Sequence, residues 1–135
     1  MLESAEPGSV APTDLTGARL LEVVTAWHVL DGVRTPAPVD VWLVLDSVGV
    51  IRVDVAPDWR LRVDRRRIYR PYDMQDLGRI ELETPGADFP LSEHVGSRVV
   101  SVESEHEPAF GQLMGLTVRF DSGTVCLRSW GGDLL

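Results

Sequence analysis

The sequence predicts a mostly β protein: an antiparallel sandwich or curled sheet, with little helix, built from two duplicated strand–loop–hairpin units. Three observations predict it. The first is the segment from Leu116 to Arg128, where Leu116, Val118 and Phe120 alternate with Thr117 and Arg119 before a Ser-Gly turn. Side chains on a strand point to opposite faces in turn, so this pattern makes one apolar face. The second is a near copy of that hairpin from Val41 to Val55. The third is the match of Gly17-Ala18-Arg19-Leu20-Leu21-Glu22-Val23 to Gly96-Ser97-Arg98-Val99-Val100-Ser101-Val102, in the same place upstream of each hairpin. Two units are too few for a solenoid, so they are expected to close on each other.

At 135 residues the chain reads as a single domain, 1–135, long enough to bury a core without staples. Residues 1–14, acidic and rich in Pro and Gly, read as a flexible lead-in with none of the basic start or apolar centre of a signal peptide. The first repeat spans 15–64. Its opening stretch is ambiguous: Leu20, Val23, Val24 and Trp27 fit a helical stripe, whereas the Val-Val-Thr run and the matched segment at Val99 favour a strand over 18–27. The strand is preferred. Residues 28–38 read as a loop with a turn at Asp31-Gly32.

In the first hairpin a three-residue loop, Ser47-Val48-Gly49, with Gly49 left-handed, sets Leu43 against Val53 and Val41 against Val55. In the second, a Ser122-Gly123 turn sets Phe120 against Val125 and Val118 against Leu127. After a turn at 56–58, Trp59, Leu61 and Val63 alternate with Arg60, Arg62 and Asp64 as a further strand, and Arg65-Arg66-Arg67 falls in solvent. Residues 65–92 form a connector broken by Pro71, Gly78, Pro85-Gly86 and Pro90, with a short edge strand at 79–83. The second repeat, 93–135, carries an acidic loop at 103–108, and Trp130 to Leu135 leads into a partial last strand.

Charge bounds the function. The net charge is −8, which opposes nucleic acid and favours a basic partner or simple solubility. No run is long enough to cross a membrane as a helix, and the chain reads as cytoplasmic. All basic residues are Arg, and Lys and Asn are absent, the bias of a GC-rich coding sequence such as actinobacteria carry. The single Cys126 has no internal disulfide partner and lies on the polar hairpin face. Glu103, Glu105, Glu107, His94 and His106 are the best metal candidates, but no zinc spacing is present, and no metal or cofactor is expected. The Arg-rich stretch 60–70 includes aromatics, but interspersed Asp58, Asp64 and Asp73 weaken a nucleic-acid reading. No GxSxG, HExxH or P-loop pattern occurs, so no catalytic residue is assigned. Asp73, Asp76, Glu103, Glu105 and Glu107 are the candidate partner-binding residues, expected to form one negative patch at an end of the sandwich.

The strand, Asp-Ser-Gly turn, strand and Trp-Gly-Gly-Asp ending from Val118 to Asp133, with its earlier echo, resembles the small acidic β-rich immunity proteins of bacterial polymorphic toxin systems. The resemblance implies a noncatalytic inhibitor that binds and occludes a basic toxin domain, and carries over no individual functional residue. Two other readings compete with it. One is a small-molecule binder or small enzyme with a pocket between the halves, lined by Trp27, Trp42 and His28. The other is a homodimer formed through Trp42 and Val44, which sit on the nominally polar side of their hairpin.

Overall fold

Each unit opens on a 3-10 turn led by proline. The computed structural model describes residues 10–56, 60–86, 88–109, 111–130 and 133–134. Helix η1 spans Pro12–Leu15, and its counterpart η3 spans Pro90–His94. Each ends in a glycine of positive φ, Gly17 at 89° and Gly96 at 94°, a conformation that a Cβ disfavours. The chain then turns straight into the long strand of its unit, β1 (Leu20–Leu30) in the first. Thus the stretch that had both helical and strand readings is a strand, and the units begin at Pro12 and Pro90 rather than at 15 and 93. Residues 10–14 are not a loose lead-in: Val10 is buried and donates its N–H to Val63 O.

The first sheet grows in chain order. The turn expected at Asp31-Gly32 is present (φ 52° and 76°), and it returns a short strand, β2 (Val33–Arg34), onto the end of β1 within the stretch read as loop. Next come β3 (Asp40–Leu45), β4 (Gly49–Val55) and β5 (Leu61–Asp64). The connector adds β6 (Tyr72–Asp73), a short helix η2 (Gln75–Leu77) and β7 (Arg79–Glu83). The order is β5-β4-β3-β1-β7-β6, with β2 also on β1. So β7 is an inner strand rather than the edge, and β6 holds the edge. The second sheet contains β8 (Val99–His106), β9 (Leu113–Phe120), β10 (Gly123–Trp130) and β11 (Asp133–Leu134), ordered β11-β10-β9-β8. The expected acidic loop at 103–108 is therefore mostly strand. The lead-in before Val10, Pro57 to Trp59, and Gly131-Gly132 lie outside the described residues.

The duplication is visible in the backbone hydrogen bonds. Gly17 N–H reaches Val99 O at 2.8 Å, and Gly96 N–H reaches Leu20 O at 2.7 Å. Leu20 N–H donates to Ser97 O, and Val99 N–H to Ala18 O. Arg19 and Arg98 face each other in an antiparallel bridge between the units. Each strand has a bulge at the same place, between Leu20 and Glu22 and between Val99 and Ser101, which turns Leu21 and Val100 outward. An approximate two-fold axis therefore passes by the Arg19–Arg98 bridge.

Both hairpins differ from the expected register by two residues. Leu43 pairs with Ile51 rather than Val53, and Val118 with Val125 rather than Leu127. The cause lies outside the hairpins. Asp46 N–H bonds Arg19 O at 3.1 Å and its Oδ1 accepts Arg19 N–H at 2.9 Å. Asp121 makes the same pair with Arg98, at 3.0 and 3.4 Å. These bonds draw both aspartates out of their own ladders into the turns, and each hairpin closes one pair earlier. A shift of two keeps every side chain on its face, so the core is unchanged. Leu43, Val53, Val118 and Leu127 are all buried between the sheets in one cluster, and the architecture is a sandwich.

Candidate functional site

The outer face of the first sheet is covered. Residues 68–82 of the connector cross it, and Ile68, Tyr69, Met74, Ile80 and Leu82 pack on Val24, Ala26 and Trp42 as a second small core. Trp42 is completely buried, with Tyr69 edge-on at 4.9 Å. This corrects two expectations. Trp42 is not free for a homodimer contact, and it does not face a cavity between the halves. The other residues of that imagined pocket are engaged locally. Trp27 Nε1–H bonds Thr25 Oγ1 at 2.9 Å, with the Arg34 guanidinium 4.5 Å above its ring. His28 Nε2 donates to Leu77 O at 2.6 Å, holding η2 against β1. At the junction of the halves, Pro38, Phe89, Leu91 and Val125 line an apolar cavity of about 60 Å³. That is well under the 300 Å³ or more of an ordinary small-molecule site.

Beside Trp42 lies a charged network that sequence reading missed. Asp40 and Asp54 sit opposite each other on β3 and β4, both buried, and share a side-chain hydrogen bond. Two carboxylates in such contact resist ionising together, so one of them is held above its usual range. Arg62 binds Asp54 through Nε and Nη2 at 2.9 and 2.7 Å, and Arg52 binds Asp64 the same way at 3.1 and 2.8 Å. Burial alone would raise Asp54, but the Arg62 hydrogen bonds and the Arg52 charge keep its carboxyl below the usual range. Below about pH 6 the pair's proton therefore resides on Asp40, whose pKa burial pushes up to about 6. Tyr69 OH donates to Asp40 Oδ2 at 2.5 Å, fastening the connector to the sheet, and burial with that bond raises the phenol. Alternate Asp and Arg on β4 and β5 were the only signal in the sequence. Its pairing across strands needs the register.

The outer face of the second sheet carries no such cover among the described residues. Glu103 and Glu105 are exposed on β8, and Glu107 lies just past its end. Glu105 pairs with Arg128 at 3.0 Å across Gly115, where a Cβ would press on both side chains. Glu107 Oε1 accepts Ala109 N–H. No ion pair engages Glu103 among the described residues. Thr117, Arg119, Thr124 and Cys126 complete a polar surface, as the alternation predicts.

Asp73 and Asp76 lie elsewhere, so the five acids do not form one patch. β5 packs on β9, the neighbour of β8, so the β8 glutamates belong to the β5 side of the sandwich. Asp73 and Asp76 belong to β6 and η2 at the opposite edge. There, with Asp31 and Gln75, they line a polar cleft of about 400 Å³.

The units also diverge at one buried position. Gly17 matches Gly96, so Leu15 of η1 corresponds to His94 of η3, and both are buried. His94 stacks on Phe120 at 4.9 Å and 5°, and its Nδ1 meets Ser122 Oγ at 2.7 Å. Ser122 in turn meets Ser97 Oγ at 2.5 Å. The relay ties η3 to the hairpin turn where the first unit uses apolar contact.

Among the described residues, no group of three or more His, Cys, Asp or Glu side chains is placed to hold a metal ion. No described helix is long and apolar enough to cross a membrane. Comparison of the chain with protein-family models, curated proteins and solved structures finds no match.

Proposed function

We propose that the chain is a noncatalytic protein-binding module of the immunity type, which holds a basic toxin domain against strand β8. One observation carries this reading. The two units share a fold, yet only the first has its long strand paired on both sides. In β1, Thr25 to Val29 pair with β7 across the edge away from β3. The corresponding end of β8, from Ser104 to His106, has β9 on one side and no strand on the other among the described residues. A partner strand fits that position, gaining main-chain hydrogen bonds. Glu103, Glu105 and Glu107 alongside select for lysine and arginine in the partner, and the net charge of −8 speeds its approach. A second copy of β8 is disfavoured there, because like charges would meet.

The reading is tested by co-expression with each polypeptide encoded immediately beside the chain in its genome. One of them should be toxic alone, neutralised by the chain, and bound in a complex that weakens with salt. Reversal of Glu103, Glu105 and Glu107 to Lys should abolish both protection and binding. Undiminished, salt-insensitive binding by the triple variant would refute the reading, as would failure of every neighbour to bind.

A further inference from the structure

The corner built by the β1–β2 turn, β6 and η2 combines exposed apolar side chains with unneutralised acid. Four of the eight exposed large hydrophobics among the described residues are here: Leu30, Val33, Tyr72 and Leu77, the last 70% exposed. Leu30 and Val33 are cross-strand partners, and the His28–Leu77 hydrogen bond fixes η2 beside them. Between these elements lies the cleft of about 400 Å³, with Asp31, Asp73 and Asp76 in its lining. None of the three carboxylates has an ion pair among the described residues; Asp73 accepts only Gln75 N–H, at 2.7 Å. Arg79 shares that lining, opposite Asp73 on the adjacent strand, but its guanidinium is committed elsewhere, as is that of Arg34. Arg79 pairs with Glu81 at 2.7 Å, and Arg34 with Glu83 at 3.0 Å.

We propose that this corner is a docking site for a protein segment presenting an arginine or lysine flanked by apolar side chains. The cation enters the acidic cleft, and the apolar flanks cover Leu30, Val33 and Leu77. Charge excludes nucleic acid and anionic membranes as occupants, since three carboxylates repel phosphate. The apolar rim favours a protein segment over a free polyamine, because covering Leu77 and Val33 needs apolar surface on the ligand. The site is separate from β8, at the other edge of the sandwich, and does not depend on the β8 reading.

The test is an amide chemical-shift titration of the full chain with a blocked peptide alternating arginine and leucine, and with a control carrying glutamate for arginine. The expected result is perturbation confined to residues 29–34 and 72–79 with the basic peptide alone. D31N/D73N/D76N should raise its dissociation constant at least tenfold. These changes preserve the backbone, since Asn tolerates the positive φ of residue 31 and still accepts the bond at 73. L77S should weaken binding severalfold with unchanged thermal unfolding. Equal affinity in the neutralised variant, or no perturbation up to the solubility limit of the peptide, overturns the proposal. Perturbation only at 101–107 overturns it too and leaves the β8 reading standing, whereas perturbation only at the corner upholds it and leaves the β8 reading to its own test.

Discussion

The two units have the same backbone and opposite exteriors. In the first, the outer face of β3 carries Trp42 beneath Tyr69, with a buried Asp-Arg network beside it. In the second, the outer face of β9 carries Thr117 and Arg119 near the surface. The difference teaches what the connector does: it converts a half-solvated sheet into one buried on both sides, while the other sheet carries no such cover among the described residues. The primary structure distinguishes the two cases. Val41-Trp42-Leu43-Val44-Leu45 is a continuous apolar run, the mark of a strand covered on both faces, while Leu116 to Phe120 alternates.

The largest test of this contrast is Trp42→Ala, which empties the space under Tyr69. It should destabilise by roughly 3–5 kcal/mol, measured by denaturant unfolding, whereas Val100→Ser on the exposed bulge should change stability by less than about 0.5 kcal/mol. Similar losses would mean that the first exterior is not a core.

The Asp40–Asp54 pair gives a smaller effect with a defined sign. Asp40 has a folded pKa raised from 3.8 to about 6, so the folded state holds a proton that the unfolded chain releases. Its stabilisation is complete below pH 3.8 and is lost as pH rises through about 6. Asp54, held low, acts oppositely and loses its stabilisation as pH falls below the ordinary carboxylate range. Unfolding free energy should therefore fall by on the order of 2 kcal/mol between pH 4.5 and 7. Asp40→Asn should flatten that slope. A slope unchanged in the variant would place the shared proton elsewhere.

His94→Leu sharpens the comparison further, by giving the second unit the residue type of Leu15. Leu fits a buried site that already stacks on Phe120, so stability should change by less than about 1.5 kcal/mol. A much larger loss would show that the Ser122–Ser97 relay, and not filling of the site, holds η3. Smallest of all, Glu105→Gln should cost no more than about 0.5 kcal/mol, because its pair with Arg128 is well exposed.

The candidate sites divide along the same line. Every acid named from the sequence is near or at the surface, because charge without an apolar pattern around it reads as exposed. Their division between two edges was not legible: it follows from β6 and β8 belonging to different sheets. Asp40, Asp54 and Tyr69 were missed because 29 residues separate Tyr69 from Asp40, and only the return of the connector brings them together.

By itself the chain determined its strand-rich fold, the duplication, the existence of the turns and the composition of the inner face. Each rests on a local rule: period-two alternation, a glycine that accepts positive φ, or a repeated order of residues. Tertiary structure decided the register, which segment covers the first exterior, and the side of β8 left without a strand among the described residues. A slip of two residues leaves the alternation intact, so no pattern within a hairpin can detect it. The choice came from Asp46 and Asp121, each bonded to the peptide at the start of its unit's long strand, beside the bridge that joins the halves.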